Sequence, residues 1–239
     1  MSSDATRKLE QLRELSLFEF ISPEVLKPLA GYFVSRTYAR GDTIWRQGSP
    51  ASHFTFICSG KVKVLKYQSD GKEIILGIFA EGEPVGEIAV YKRVDFPASA
   101  VALEQTEVLQ IHRDHFYGTI KSNTQLLEAT VNSMMRRNQD LVGRIDELAT
   151  DGAEQRLAML FCKFSEKMGK RTHLEDGTMG VYIDLDLTRR DIAELINTRV
   201  ETAIRLMSRW NKEGPIKTEK TGFLVVDIAQ LERLTKPRC

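Results

Sequence analysis

The stretch LTRRDIAELINTRVETAIRLMSRW, from Leu187 to Trp210, spaces its apolar residues as two short helices about a tight turn and leaves a basic, polar face uncommitted. Ala193 is small where two helices must cross closely, and Ile192, Ile196, Ala203 and Leu206 supply a shared apolar seam. Asn197 falls at the turn, where a helix-turn-helix usually needs a positive φ that Gly tolerates best and Asn next best. Thr188 with Asp191, and Thr198 with Glu201, have the spacing of a capping box, in which a hydroxyl and an acid satisfy orphan N–H groups of a helix's first turn.

A second helix starting near Thr198 presents Arg199, Val200, Glu201 and Thr202 in its first turn, with Arg205 and Arg209 following on the solvent side. Glu201 and Arg205 share a face. In a DNA major groove Arg donates bidentately to guanine while Glu accepts from cytosine, so the pair suits neighbouring G·C pairs, each good contact contributing about 1–3 kcal/mol of discrimination. Arg189, Arg190, Arg199, Thr202, Ser208 and Lys212 suit phosphates better by type and position. The plainer alternative is that Glu201 only caps its helix and pairs with Arg205, worth about 0.2–0.5 kcal/mol. Beyond the second helix, Gly214-Pro215 ends it and IKTEKTGFLVV reads as a hairpin turning at Thr221-Gly222. That hairpin is a wing, and it carries Lys217 and Lys220 toward a neighbouring phosphate backbone.

The rest of the chain fits such a reading. With 239 residues, 42% hydrophobic and 28% charged, it has material for two cores. The net charge of +1 is unevenly divided: from Glu154 onward there are 16 Lys+Arg against 13 Asp+Glu, or +3, leaving 18 against 20, or −2, before it. This asymmetry is weak support for nucleic-acid binding by the C-terminal part. Three scattered cysteines, Cys58, Cys162 and Cys239, imply neither a disulfide framework nor a zinc site. No apolar run is long enough for a membrane span and the charged N-terminus is no secretory signal, so a cytoplasmic protein without membrane partners is expected. No Ser-His-Asp, metal-ligand or phosphate-loop constellation is present, so no catalytic activity is expected.

Between His112 and Ala149 the apolar rhythm changes. Leu127, Val131, Met134, Asn138, Leu141, Ile145 and Leu148 are spaced 4-3-4-3-4-3, a heptad seam. Val131, Asn138 and Ile145 at a, with Leu127, Met134, Leu141 and Leu148 at d, match the preferences of a parallel two-stranded coil. A single buried Asn at a costs stability while fixing register and dimeric state. Arg136, Arg137, Asp140, Arg144 and Glu147 then fall on flanking, solvated positions. The competing assignment is an amphipathic helix packed on its own domain. Thr150-Asp151-Gly152 breaks the pattern and marks a hinge, after which Leu157, Leu160, Phe161 and Phe164 enter a C-terminal core.

The N-terminal half begins with two helical segments, Ala5 to Leu15 and Pro23 to Phe33, then becomes brief strands punctuated by glycines. The run KVKVLKY alternates with period two, and Asp70-Gly71 is a hairpin turn. Such an all-β roll can enclose a small molecule, with Gly86, Glu87, Ile88, Ala98 and Ser99 as candidate pocket residues.

The order of β-roll, long helix and winged helix-turn-helix, together with GEPVGEIAVY, PASAVAL and the Leu187–Trp210 stretch, resembles the CRP/FNR family of bacterial transcription regulators over essentially the whole chain. The resemblance implies an α+β chain divided as follows: residues 1–112, a cyclic-nucleotide-binding-like β-roll with its N-terminal helices; 113–149, a dimerisation helix; 150–152, a hinge; 153–239, a winged helix-turn-helix. It further implies a homodimer on an inverted-repeat operator in double-stranded DNA, with RNA polymerase as a further partner if it activates. Glu201 and Arg205 match the family's base-reading pair, and Arg189 and Thr202 its phosphate contacts. Val200-Glu201-Thr202 resembles the fumarate-nitrate branch, whose half-site is TTGA-like; that branch usually has Ser where this chain has Ile204, a departure at the outer base pair.

The resemblance also bears on the effector. Members that bind cyclic AMP carry an Arg-Ser or Arg-Thr pair followed by Ala, whose Arg pairs with the cyclic phosphate. This chain has Pro97, Ala98 and Ser99 there, so cyclic AMP is disfavoured. An iron–sulfur cluster needs four thiolates and is nearly excluded. Haem remains open, with His53, His112 and His115 as conceivable ligands, and a thiol switch at buried Cys58 is disfavoured. Two other expectations compete with that of a regulator of unknown signal: a haem-based gas sensor, and a ligand-binding subunit acting through protein contacts.

Overall fold

A computed structural model describes residues 3–68, 73–149, 152–174 and 176–235, in two compact units, Met1–Gln139 and Asp140–Cys239. The first opens with α1 (Ser3–Glu14) and α2 (Pro23–Ala30), the latter shorter than expected. There follow β1 (Phe33–Tyr38), β2 (Thr43–Trp45), β3 (His53–Ser59), β4 (Lys61–Tyr67), β5 (Glu73–Ala80), β6 (Pro84–Val85), the short helix α3 (Glu87–Lys92), β7 (Ser99–Ala102) and β8 (Thr106–His112). They form two antiparallel sheets, β1-β8-β3-β6 and β2-β7-β4-β5, which make the roll. The expected Asp70-Gly71 turn lies outside the described residues.

Strand β3 shows why the roll holds. Its residues 54–57, FTFI, are buried on both faces, so it reads as a continuous run rather than an alternation. Phe54 and Phe56 enter a cluster with Phe18, Phe33 and Phe116, whose ring centroids lie 4.5 to 6.4 Å apart, mostly edge-on or tilted. Ile57 points to the other side, into Val62, Phe79, Val85, Ala100 and Val108.

The helix expected over 113–149 is two helices, α4 (Arg113–Ser122) and α5 (Thr124–Ala149). Asn123 between them is extended, and its Oδ1 accepts the Leu126 N–H at 2.9 Å, capping α5. The Ser122-Asn123-Thr124 run offers the backbone side-chain partners that compete with helix continuation. Along α5, Leu126 and Thr130 are buried in the first unit, while Leu127, Val131, Met134, Leu141 and Ile145 are each between 44% and 65% exposed, with exposed Asn138 on the same ridge. These ridge residues are therefore not part of a core within the chain. The side chain of Leu148, and Thr150 and Asp151 of the expected hinge, lie outside the described residues; Gly152 has φ +95°.

The second unit contains α6 (Ala153–Met168), β9 (Gly169–His173), β10 (Met179–Ile183), α7 (Arg189–Leu195), α8 (Val200–Glu213), β11 (Ile216–Thr218), β12 (Phe223–Val225) and α9 (Ile228–Leu234). One antiparallel sheet, β11-β12-β10-β9, packs through Val181, Ile183, Ile216, Phe223 and Val225. Leu157, Leu160, Phe161 and Phe164 of α6 are buried, Phe161 lying 5.0 Å from Phe223. The β9–β10 hairpin was no part of the expected architecture. Its signals are the Asp176-Gly177 pair, with Gly177 at φ +82°, and the GVYI run after it. Among the described residues no helix is long and apolar enough to cross a membrane.

Candidate nucleic-acid interface

Helices α7 and α8 cross over the seam read from the sequence. Ile192, Ala193, Ile196, Ala203 and Leu206 are all buried, and Asn197 makes the turn at φ +49°. Thr188 and Asp191 form the reciprocal capping box at the start of α7, the Asp191 N–H donating to Thr188 Oγ1 at 3.1 Å and the Thr188 N–H to Asp191 Oδ2 at 2.9 Å. The second expected box is absent. Helix α8 begins at Val200 with Arg199 as its N-cap, and no side chain caps it. Thr198 is instead committed to the turn, its N–H reaching Ala193 O at 2.9 Å, which moves the helix start one residue past it.

That absence matters for Glu201. It does not cap α8, and among the described residues neither Glu201 nor Arg205 has a hydrogen-bond or ion-pair partner. Both are exposed, on the face opposite buried Ala203, Leu206, Met207 and Trp210. A carboxylate and a guanidinium are thus held out, uncompensated, one turn apart. Arg199 and Ser208 are exposed, and Thr202 half-buried, on the same side.

The remaining phosphate candidates differ in availability. Arg190 is exposed and loosely paired with Glu194 at 3.6 Å. Arg189 is half-buried, burial lowering its pKa, and donates to Thr218 Oγ1 at 2.9 Å, tying α7 to the wing. Lys217 corrects the sequence expectation. Its ammonium donates to the carbonyls of Asn211 at 2.7 Å and Lys212 at 3.2 Å, neutralising the C-terminal end of α8 instead of extending from the wing. The wing is present: β11 and β12 pair antiparallel, and the Glu219 N–H closes on Gly222 O at 2.9 Å, which centres the turn on Lys220-Thr221, one residue before the expected Thr221-Gly222.

Two residues in the first turn of α6 escaped the sequence reading. Arg156 Nε donates to Ile196 O at 2.7 Å and Nη2 to Asn197 O at 3.3 Å, holding the carbonyls of the turn. Glu154 accepts the Trp210 indole N–H at 3.1 Å and pairs with Arg209, so Arg209 is exposed yet engaged. Together they hold the α7–α8 turn and the C-terminal part of α8 from the first turn of α6. No local pattern could have revealed these contacts between distant parts of the chain.

In the first unit, Gly86 has φ +73°, and a Cβ there would come within 2.8 Å of both Trp45 and Phe96, which stack at 4.4 Å. Ala98 and Ser99 are buried and already bonded: Ala98 O accepts the Trp45 indole N–H at 3.1 Å, and Ser99 Oγ accepts the Gln47 N–H at 2.9 Å. Ile88 is exposed rather than turned inward. Glu87 lies largely buried with Arg137 of α5 at 3.7 Å, the Arg137 guanidinium 4.4 Å from the Phe79 ring centroid. Burial raises the Glu87 pKa and Arg137 partly offsets it. Arg137 is therefore not the solvated flanking residue expected from the heptad.

The three histidines considered as haem ligands have local partners. His53 and His112 lie edge-on at 5.1 Å, His112 Nδ1 accepts the Asp114 N–H at 3.4 Å to cap α4, and His115 stacks on Tyr32 at 4.2 Å. Burial, then His112 and Arg36, lowers the His53 pKa. Burial pushes the Cys58 thiol up to about 12, leaving it largely protonated and inert at neutral pH.

One unit is thus an antiparallel roll and the other a winged helix-turn-helix, and comparison with known proteins finds the same two domains. Residues 35–123 match the cyclic nucleotide-binding domain and residues 155–234 the Crp-like helix-turn-helix domain. The chain belongs to the CRP/FNR family of transcription regulators, which are DNA-binding proteins and not enzymes. It is 24% identical to the CRP-like cAMP-activated global transcriptional regulator of Mycobacterium tuberculosis, over 94% of this chain and 98% of that one. It is 26% identical to the cyclic AMP receptor protein of Thermus thermophilus, over 91% and 95%. Among solved structures, the c-di-GMP responsive global regulator CLP of Xanthomonas campestris shares the fold with TM-score 0.71 at 19% identity, covering 86% of this chain and 100% of that one.

Proposed function

We propose that this regulator works in the cytoplasm as a homodimer that reads an inverted-repeat operator with TTGA-like half-sites, Glu201 and Arg205 contacting base edges. The observation that carries the reading is the pair itself: two exposed, oppositely charged side chains on α8 with no partner within the described protein. Arg190, Arg199, Thr202 and Ser208 flank them as phosphate contacts, Arg189 assists from the wing side, and Lys217 serves the helix end.

The exposed ridge of Leu127, Val131, Met134, Asn138, Leu141 and Ile145 supports pairing of α5 with its counterpart. A two-fold protein suits half-sites about 34 Å apart. The controlling signal acts where the roll meets α5 and is not cyclic AMP. Pro97 stands where the phosphate-binding Arg would be, and the polar groups at Ala98 and Ser99 are already occupied.

Selection of bound duplexes from a random pool, followed by sequencing, tests the reading. Enrichment of a palindrome is expected; capture of a protein partner with no duplex enriched would favour a regulatory subunit instead. With the selected operator, Arg205→Ala should cost about 1–3 kcal/mol at one base position and relax preference there. An equal loss on every sequence would contradict base reading.

A further inference from the structure

The outward strip of α8 contains one residue that charge does not explain. Glu201, Ile204, Arg205 and Ser208 follow one another at helical spacing, and Ile204, at the centre, is 46% exposed. A β-branched side chain is a poor choice for an exposed helix position on propensity alone, and its apolar surface gains nothing from water. Single exposed apolar residues are common on protein surfaces. This one, however, flanks the two unpartnered charged groups assigned to base edges, three residues from Glu201 and next to Arg205, so it comes close to whatever they touch. Of the features base pairs present in the major groove, the apolar one is the 5-methyl group of thymine.

We propose, resting on the reading of α8 as the base-reading helix, that Ile204 is a specificity-determining residue that packs against a thymine methyl. The spacing allows it. Residues three or four apart on a helix lie about 5–6 Å from one another, and base pairs are stacked about 3.4 Å apart. The thymine must therefore fall within about two steps of the base pairs read by Glu201 and Arg205. Neither strand need offer Ile204 a hydrogen bond; the contact distinguishes thymine from cytosine or uracil by the methyl alone.

The test uses the intact protein and the operator recovered by selection. The Arg205→Ala variant first marks the base pair that Arg205 reads; each thymine within two positions of it is then replaced by deoxyuridine, which deletes only the methyl. At one such position the affinity of the unaltered protein should fall about four-fold per half-site, the value of one buried methyl. Ile204→Ala should bind the thymine operator more weakly, yet no longer distinguish thymine from uracil at that position. Ile204→Val, which keeps a branched apolar group, should retain part of the discrimination. Indifference of the unaltered protein to every uracil, or an operator lacking thymine in that window, overturns the role of Ile204 while leaving base reading by Arg205 standing. Failure to enrich any duplex overturns the DNA reading itself, a distinguishable result.

Discussion

Asn197 adopts φ +49° between α7 and α8, a conformation that costs most side chains about 1–2 kcal/mol. Asn197→Gly should accordingly leave stability nearly unchanged, while Asn197→Val should lower it by at least that amount, as read by denaturant unfolding. Equal stability of the two variants would mean the turn is not strained. Glu87 makes a pH-dependent case. Burial raises its folded-state pKa above the ordinary 4.5, so its contribution to stability is fully present below that value and is lost as pH rises through the folded pKa. The thermal midpoint of the natural protein minus that of Glu87→Gln should therefore be largest in acid and decline toward neutrality. A difference that instead grows with pH would show that Arg137 outweighs the burial.

At the scale of elements, α5 divides its surface between two duties. Leu126 and Thr130 bind it to its own unit, and the ridge from Leu127 to Ile145 stays uncovered in a single chain. Asn138 sits in that ridge, where an Asn weakens a coiled coil but selects one register. Asn138→Val should raise the thermal midpoint of the dimer and permit higher oligomers or mixed registers, measured by sedimentation and melting. If both quantities stay unchanged, Asn138 lies outside the seam. The first turn of α6 is a second such element: through Arg156 and Glu154 it holds the turn and the C-terminal part of α8.

For the whole molecule, a net charge of only +1 leaves DNA affinity to a local cluster rather than to a general field. Binding should still weaken steeply with salt, with a logarithmic slope of about −0.9 for each phosphate neutralised. Arg199→Ala removes one phosphate contact from each half-site, so the slope should become shallower by about two, with sequence preference retained. An unchanged slope would take Arg199 out of the phosphate set. Much of this design was legible along the chain. Helical periodicity, the Thr188 cap, the left-handed Asn197, the Gly214-Pro215 stop and the heptad ridge all depend on residues a few positions apart, and such local rules act before any tertiary contact forms. Only the tertiary structure decided the rest. It brought Arg156 to a turn 40 residues away and Glu154 to Arg209, 55 residues on, set Arg137 against Glu87 and Phe79, and turned Lys217 onto the end of α8. A long charged side chain can satisfy itself with many partners, and which one it meets is set by where the apolar cores bring the backbone, not by its neighbours in sequence.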